Sequence, residues 1–184
     1  MAAPFMPTHL KSQERSASDP GDAPMYDLIE LFYFAYRDFV GDADRLLEAY
    51  GFGRAHHRVL HFVSRQPGLT IASLLEILRI TKQSLNRVLK ELIAQNFIEA
   101  RAGALDRRHR QLYVTSEGEK LARELARVQT RRFSGATERL GPFGKDHAVA
   151  FLLAMIEPSD RERVLELIGA GRAPAKAHGA PPSE

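Results

Sequence analysis

The chain contains no cysteine. That excludes a disulfide framework, a thiolate zinc site, an iron–sulfur cluster, a cysteine nucleophile and a thiol redox switch. It contains no tryptophan either, so no cage or stacking platform can rest on an indole. Long apolar runs are missing too. The longest, Ala148–Ile156, falls well short of the roughly 20 residues that a membrane-spanning helix needs. No apolar stretch follows the first positive residues, so no secretory leader is expected. These absences point to a cytoplasmic protein that needs no cofactor or metal and no membrane. The balance that remains, 44% hydrophobic and 27% charged over 184 residues, suits one globular core with appendages at roughly 150 residues per domain.

The two signs of charge nearly balance overall but not locally. The net charge is +3. Between Gly53 and Arg110 there are eleven Lys and Arg against four Asp and Glu, whereas the rest of the chain has fifteen against nineteen. A basic third in a mildly acidic chain is a sign of a polyanion partner, most often nucleic acid. Ordinary solvated surface gives the same count, so the motifs inside that third must decide.

Met1–Pro24, rich in Pro, Ser, Ala and Asp, and Gly169–Glu184, mostly Ala, Gly and Pro, read as flexible tails. Met25–Val40 follows the i, i+3, i+4, i+7 apolar pattern of a helix, with Leu31 and Phe34 widening the apolar face beyond what one neighbour needs. Gly41 is expected to end it, and Asp42–Tyr50 to add a short further turn. Arg54–Arg65 is a helix with Ala55, Val59, Leu60, Phe62 and Val63 inward, stopped by Pro67-Gly68. Thr70 caps a helix over Ile71–Leu78. Thr81 opens another, running to Gln95 with Leu85, Val88, Leu89, Leu92 and Ile93 inward, and Asn96 suits a left-handed position after it.

The period then changes. Phe97–Ala102 and Gln111–Val114 read as strands around a basic hairpin loop, Gly103–Arg110. Ser116 with Glu119 fits a capping box for a long helix past Leu121, Leu125, Val128 and Phe133 toward Leu140. Gly141-Pro142 breaks the chain. A last helical stretch is expected from about Asp146, interrupted at Pro158 and resumed to Ile168 by a second capping box, Ser159 with Glu162. The fold expected is mainly α with a small β-wing: a winged helix-turn-helix over residues 53–115, flanked by helical arms over 25–52 and 116–168.

Two short helices joined at Arg79–Thr81 form the layout in which the second helix enters the major groove N-terminus first. Thr81, Lys82, Gln83, Ser84, Asn86, Arg87 and Lys90 fall off the apolar stripe and must face outward. Gln and Asn can pair with adenine, Arg and Lys with guanine, and hydroxyls reach bases or phosphates. Singly these residues would be a solvated helix face; with a wing beside them they read as a DNA contact. At the wing, Arg107, Arg108 and Arg110 can enter a narrow minor groove. Asp106 among them would be repelled by phosphate, so it reads as an internal partner holding one arginine by a charge-assisted bond.

Leu69–Leu75, Thr81–Leu92, Phe97–Ala100, Asp106-Arg107-Arg108 and Val114-Thr115-Ser116-Glu117-Gly118 together resemble the MarR family of winged-helix transcriptional regulators. The Asp-Arg-Arg wing followed by Val-Thr-x-x-Gly is the most specific part. The resemblance implies a homodimer with intertwined first and last helices, acting as repressor or activator on a palindromic operator in double-stranded DNA. Gln83, Ser84, Asn86 and Arg87 match recognition-helix positions and Arg108 or a neighbour the wing arginine. Asn96-Phe97 replaces a frequent glycine, and the C-terminal helix is broken by proline. Many relatives respond to a small ligand between the arms and the winged helix, where this chain offers Phe32, Phe34, Tyr36 and Phe39. Peroxide sensing through cysteine is excluded.

Of the seven histidines, His56, His57 and His61 invite a metal or haem reading. His56 falls on the apolar face of its helix and reads as a core residue with one nitrogen satisfied. His57 and His61, at i and i+4, could hold zinc, but Arg54 and Arg65 share their face and no carboxylate is near in sequence, so no metal is expected. No phosphate loop, nucleophile elbow or His-Glu-x-x-His is present, and no enzyme is expected. The competing reading is a winged helix that serves as a protein-interaction module without specific DNA binding.

Overall fold

The computed structural model describes residues 23–102 and 110–171. Most of both expected tails, and the hairpin tip with Asp106, Arg107 and Arg108, lie outside the described residues. The chain divides into two compact units, Met1–Tyr36 and Arg37–Glu184.

Helix α1 spans Tyr26–Glu48. Gly41 does not end it. Within the second unit the apolar stripe continues past the glycine through Ala43 and Leu47, both fully buried. Burying them outweighs the penalty of about 1 kcal/mol for glycine in a helix interior. The described part of the first unit is the start of α1. Its Met25, Tyr26, Leu28, Ile29, Leu31, Phe32, Tyr33, Phe34 and Tyr36 are all 45–66% exposed.

The second unit then runs α2 (Arg54–Arg65), β1 (Leu69–Thr70), α3 (Ile71–Leu78), α4 (Lys82–Ala94), β2 (Ile98–Ala102), β3 (Arg110–Val114), α5 (Ser116–Arg139), α6 (Gly144–Ala154), a 3-10 turn at Pro158–Asp160 and α7 (Arg161–Ala170). Helix α6 starts two residues before the expected Asp146, and α7 reaches two beyond Ile168. The sheet has the order β1-β3-β2 and is antiparallel. Strand β1 was not expected, because two residues carry no period. It exists because Leu69 and Thr70 pair with Leu112 and Gln111, after a turn at Gly68 with φ of 90°.

Caps set the boundaries. The Thr70 hydroxyl accepts from Ser73 N–H at 3.1 Å, and Thr81 does the same for Ser84 at 3.2 Å. Asn96 takes the left-handed conformation, φ 60°. The cap of α5 is Thr115, not Ser116: its hydroxyl accepts from Gly118 N–H at 3.1 Å and donates to the Asn96 carbonyl at 2.6 Å. Glu119 does not fold back onto the cap. It accepts from Ser64 at 2.9 Å and Arg123 at 2.8 Å instead. Ser159 caps nothing either. Pro158 opens a 3-10 turn that absorbs it, and Asp160 precedes α7 without a side-chain cap bond.

One core joins these elements. Val59, Leu60 and Val63 of α2, Leu74 of α3, Leu85 and Leu92 of α4, Ile98 and Leu112 of the sheet and Leu121 and Leu125 of α5 are buried together. Ala55, expected inward, is exposed in the first turn of α2. At the joint between wing and α5, a side chain on Gly118 would come within 2.0 Å of the Phe97 carbonyl oxygen. The Val-Thr-x-x-Gly pattern therefore has a mechanical reason: Thr115 ties the hairpin to the helix and Gly118 lets their backbones touch.

Candidate nucleic-acid interface

Helix α4 presents two faces. Leu85, Val88, Leu89 and Leu92 are buried. Ile93, expected with them, is 41% exposed: about 100° on from Leu92, it lies at the outer edge of the stripe. Thr81, Lys82, Gln83, Ser84, Asn86, Arg87 and Lys90 are all exposed, as their spacing requires. Thr81 and Ser84 spend their hydroxyls on each other at 3.0 Å and on the cap. Among the described residues, Lys82, Gln83, Asn86, Arg87 and Lys90 have no side-chain hydrogen bond or ion pair. Five polar side chains thus stand off an apolar anchor, around a helix N-terminus whose first N–H groups favour an anion.

Polar struts fix the position of that helix. The His56 Nδ1 accepts from Gly53 N–H at 3.1 Å, so Nε2 carries the proton and donates to Glu91 Oε2 at 2.6 Å. Both nitrogens are satisfied, one more than expected, and the ring stacks on Phe52 with centroids 4.7 Å apart. This ties α2 to α4. Arg58 donates to the Leu78 carbonyl at 2.8 Å, holding the end of α3. Arg79, in the turn between α3 and α4 with φ 49°, pairs with Asp160 at 2.5 Å.

Arg110 stands exposed at the start of β3, opposite Ala102 in register. Asp106, Arg107 and Arg108 fall outside the described residues. Sequence reasoning passed over Arg101, which lies on β2 with its guanidinium 4.5 Å from the Tyr113 ring centroid and 2.5 Å from Glu99. The Glu99 hydrogen bond holds its pKa above the ordinary arginine value. The period-2 spacing of Glu99 and Arg101 was the available signal.

Of the aromatics considered for a ligand, Phe39 packs edge-on against Phe133 at 5.3 Å, and Phe32, Phe34 and Tyr36 are exposed. His57 and His61 both titrate below the ordinary imidazole value. Burial is the main cause for each, reinforced at His57 by the charge of His61, against the pull of Asp44, and at His61 by the charge of Arg65. Among the described residues no group of three His, Cys, Asp or Glu could hold a metal ion, and no helix is long and apolar enough to cross a membrane.

A capped helix-turn-helix followed by a β-hairpin, with the second helix offering an unpaired polar face, defines a winged-helix protein. The chain belongs to the MarR family. A model of that family matches residues 50–109. The HTH-type transcriptional regulator PetP of Rhodobacter capsulatus is 45% identical over 133 residues, 72% of this chain and 80% of the relative. Among solved structures, that of MarR superposes with a TM-score of 0.59 at 22% identity, covering 84% of this chain and 99% of MarR. That of Streptococcus pneumoniae FabT in complex with DNA has a TM-score of 0.53 at 13% identity, covering 79% and 93%. The chain is a homologue of a transcription regulator, not of an enzyme.

Proposed function

We propose that this protein is a cytoplasmic, homodimeric regulator that binds a palindromic operator in double-stranded DNA. In this reading α4 enters the major groove. Lys82, Gln83, Asn86 and Arg87 face base edges, Lys90 and the Thr81–Ser84 turn face phosphate, and Arg107, Arg108 and Arg110 grip the neighbouring minor groove with Asp106 as their internal brace. The observation that carries it is the exposed polar face of α4, where Lys82, Gln83, Asn86, Arg87 and Lys90 have no side-chain partner among the described residues, held by a buried leucine stripe and the His56–Glu91 strut. The PetP relative, a transcriptional regulator, and the DNA bound to FabT are in keeping with it.

The winged helix-turn-helix would cover residues 53–115, with residues 25–52 and 116–168 as the dimerisation region. The exposed apolar start of α1 supports the dimer, since an isolated chain leaves that surface in water. Two copies related by a two-fold axis would read two half-sites about one helical turn of DNA apart. A small ligand at the arms would bias their spacing and so the affinity. The test is selection of bound fragments from a random DNA pool with purified protein. Enrichment of an inverted repeat supports the reading. Binding without sequence preference, or none at low salt, leaves the protein-interaction module.

A further inference from the structure

Within the second unit, α1 and α5 border an open groove of about 570 Å³ that the DNA-binding reading does not use. It is lined by Asp42, Arg45 and Leu46 of α1 and by Val128, Arg131, Arg132, Gly135, Ala136 and Arg139 of α5. The spacing along α5 is i, i+3, i+4, i+7, i+8 and i+11, so all six residues share one helix face. Four arginines line the groove with a single carboxylate. That carboxylate is already committed: Asp42 accepts from Arg132 at 2.7 Å and also pairs with Arg45. Those bonds, the Arg132 one foremost, hold Asp42 below its ordinary pKa, so it stays ionised. Arg131 and Arg139 have no ion pair among the described residues. The groove therefore keeps a surplus of positive charge in a part of the chain that is acidic on balance. Its room comes from small residues, and a Cβ on Gly135 would meet nothing within 4 Å.

We propose that this groove binds a small molecule carrying two or more anionic groups, either carboxylates or phosphates. The argument is chemical. Guanidinium groups recognise carboxylate and phosphate oxygens bidentately. Asp42 pins Arg132 and Arg45 in place, so two of the four guanidinium groups are already oriented before a ligand arrives. The volume suits a compact metabolite. The site deepens the effector part of the function proposed above, and its occupancy is measured on the DNA-free dimer or monomer, so failure of ligand binding and failure of operator binding are read separately.

The experiment is calorimetric titration of the full chain at fixed ionic strength with citrate in one arm and inorganic pyrophosphate in the other. Two variants and a control are titrated alongside. Arg131→Gln with Arg139→Gln removes the unpaired charges. Gly135→Leu fills the groove while leaving every charge in place, and it replaces a helix glycine with a better helix former, so it is expected to fold. Lys82→Gln with Arg87→Gln removes an equal charge from α4. The expected result is saturable binding of one probe to the wild type and to the α4 control. The charge variant should weaken it by about tenfold or more, the loss typical of charge-assisted hydrogen bonds, and Gly135→Leu should abolish it. The arm that binds distinguishes carboxylate from phosphate chemistry. Equal binding by Gly135→Leu, no binding of either probe to the wild type, or loss only in the α4 control would overturn the proposal. So would a groove variant whose only change is a shift between monomer and dimer, because the arginines would then belong to a second copy of the chain.

Discussion

The outward face of α4 and the start of α1 are both open to solvent, yet they are built from opposite materials. On α4 the exposed residues are Lys82, Gln83, Asn86, Arg87 and Lys90. On α1 they are Met25, Leu28, Leu31, Phe32 and their neighbours. A polar face is at rest in water and needs a ligand only to be useful. An apolar face of this size is not at rest, since each buried large side chain is worth about 1.5–3 kcal/mol relative to exposure. In the function proposed above, the first is the face offered to DNA and the second the face offered to a second copy of the chain.

The contrast presumes that α4 is held from within and from the hairpin behind it. The largest effect should come from Gly118→Val. Its side chain would overlap the Phe97 carbonyl, found 2.0 Å from an ideal Cβ, and the loss should reach about 4 kcal/mol or more, the level that backbone clashes produce. Urea unfolding measures it. Leu92→Ala, at a fully buried position of α4, should cost about 2–5 kcal/mol, whereas Gln83→Ala on the opposite face should stay within about 0.5 kcal/mol. Similar losses at both positions would mean that the outward face is packed after all.

On α1, Leu31→Lys should raise the dimer dissociation constant by about a hundredfold, as expected of an anchor in an apolar interface. Sedimentation equilibrium reads it. A wild-type chain that stays monomeric at high concentration would sever the exposed apolar face from dimerisation. For α4, Arg87→Ala should cost about 1–3 kcal/mol on the selected operator if it reads a base. An equal loss on random DNA would make it a phosphate anchor, and the salt dependence of binding would then weaken by about one unit of slope.

How much of this could be read from sequence depends on whether the determinant is local. Helices α2, α3 and α4 are legible to within a residue because a 3.6-residue apolar stripe runs through each and local start or stop signals bound them, as at Pro67-Gly68, Thr70, Thr81 and Asn96. The outward face of α4 follows from the same stripe. The failures share a different cause. Helix α1 crosses Gly41 because of what Ala43 and Leu47 pack against. Strand β1 exists only through Leu112 and Gln111. The choice of Thr115 over Ser116 as cap depends on the Asn96 carbonyl, nineteen residues away in the hydrogen bond that fixes it. The arginine groove escaped because its two walls come from segments whose charges, counted separately, look like solvated surface.

The smallest expected effect concerns a third region, the histidine pair on α2. His57 and His61 stand one turn apart on α2, and burial holds both below the ordinary value of 6.5. A base with a lowered pKa in the folded state is more readily protonated when unfolded. The unfolded chain then binds more protons as pH falls through about 6.5, and stability drops with it, levelling off below the folded pKa values. Above that window the two histidines are neutral in both states and contribute nothing through titration. The double variant His57→Gln, His61→Gln should therefore match the wild type in urea midpoint near pH 8 and lose less than it does near pH 5.5. The difference should be modest, since Asp44 opposes part of the shift at His57. A variant that loses as much stability as the wild type over this range would show that the acid sensitivity of the fold lies elsewhere, and that this face of α2 is as indifferent to charge as open water.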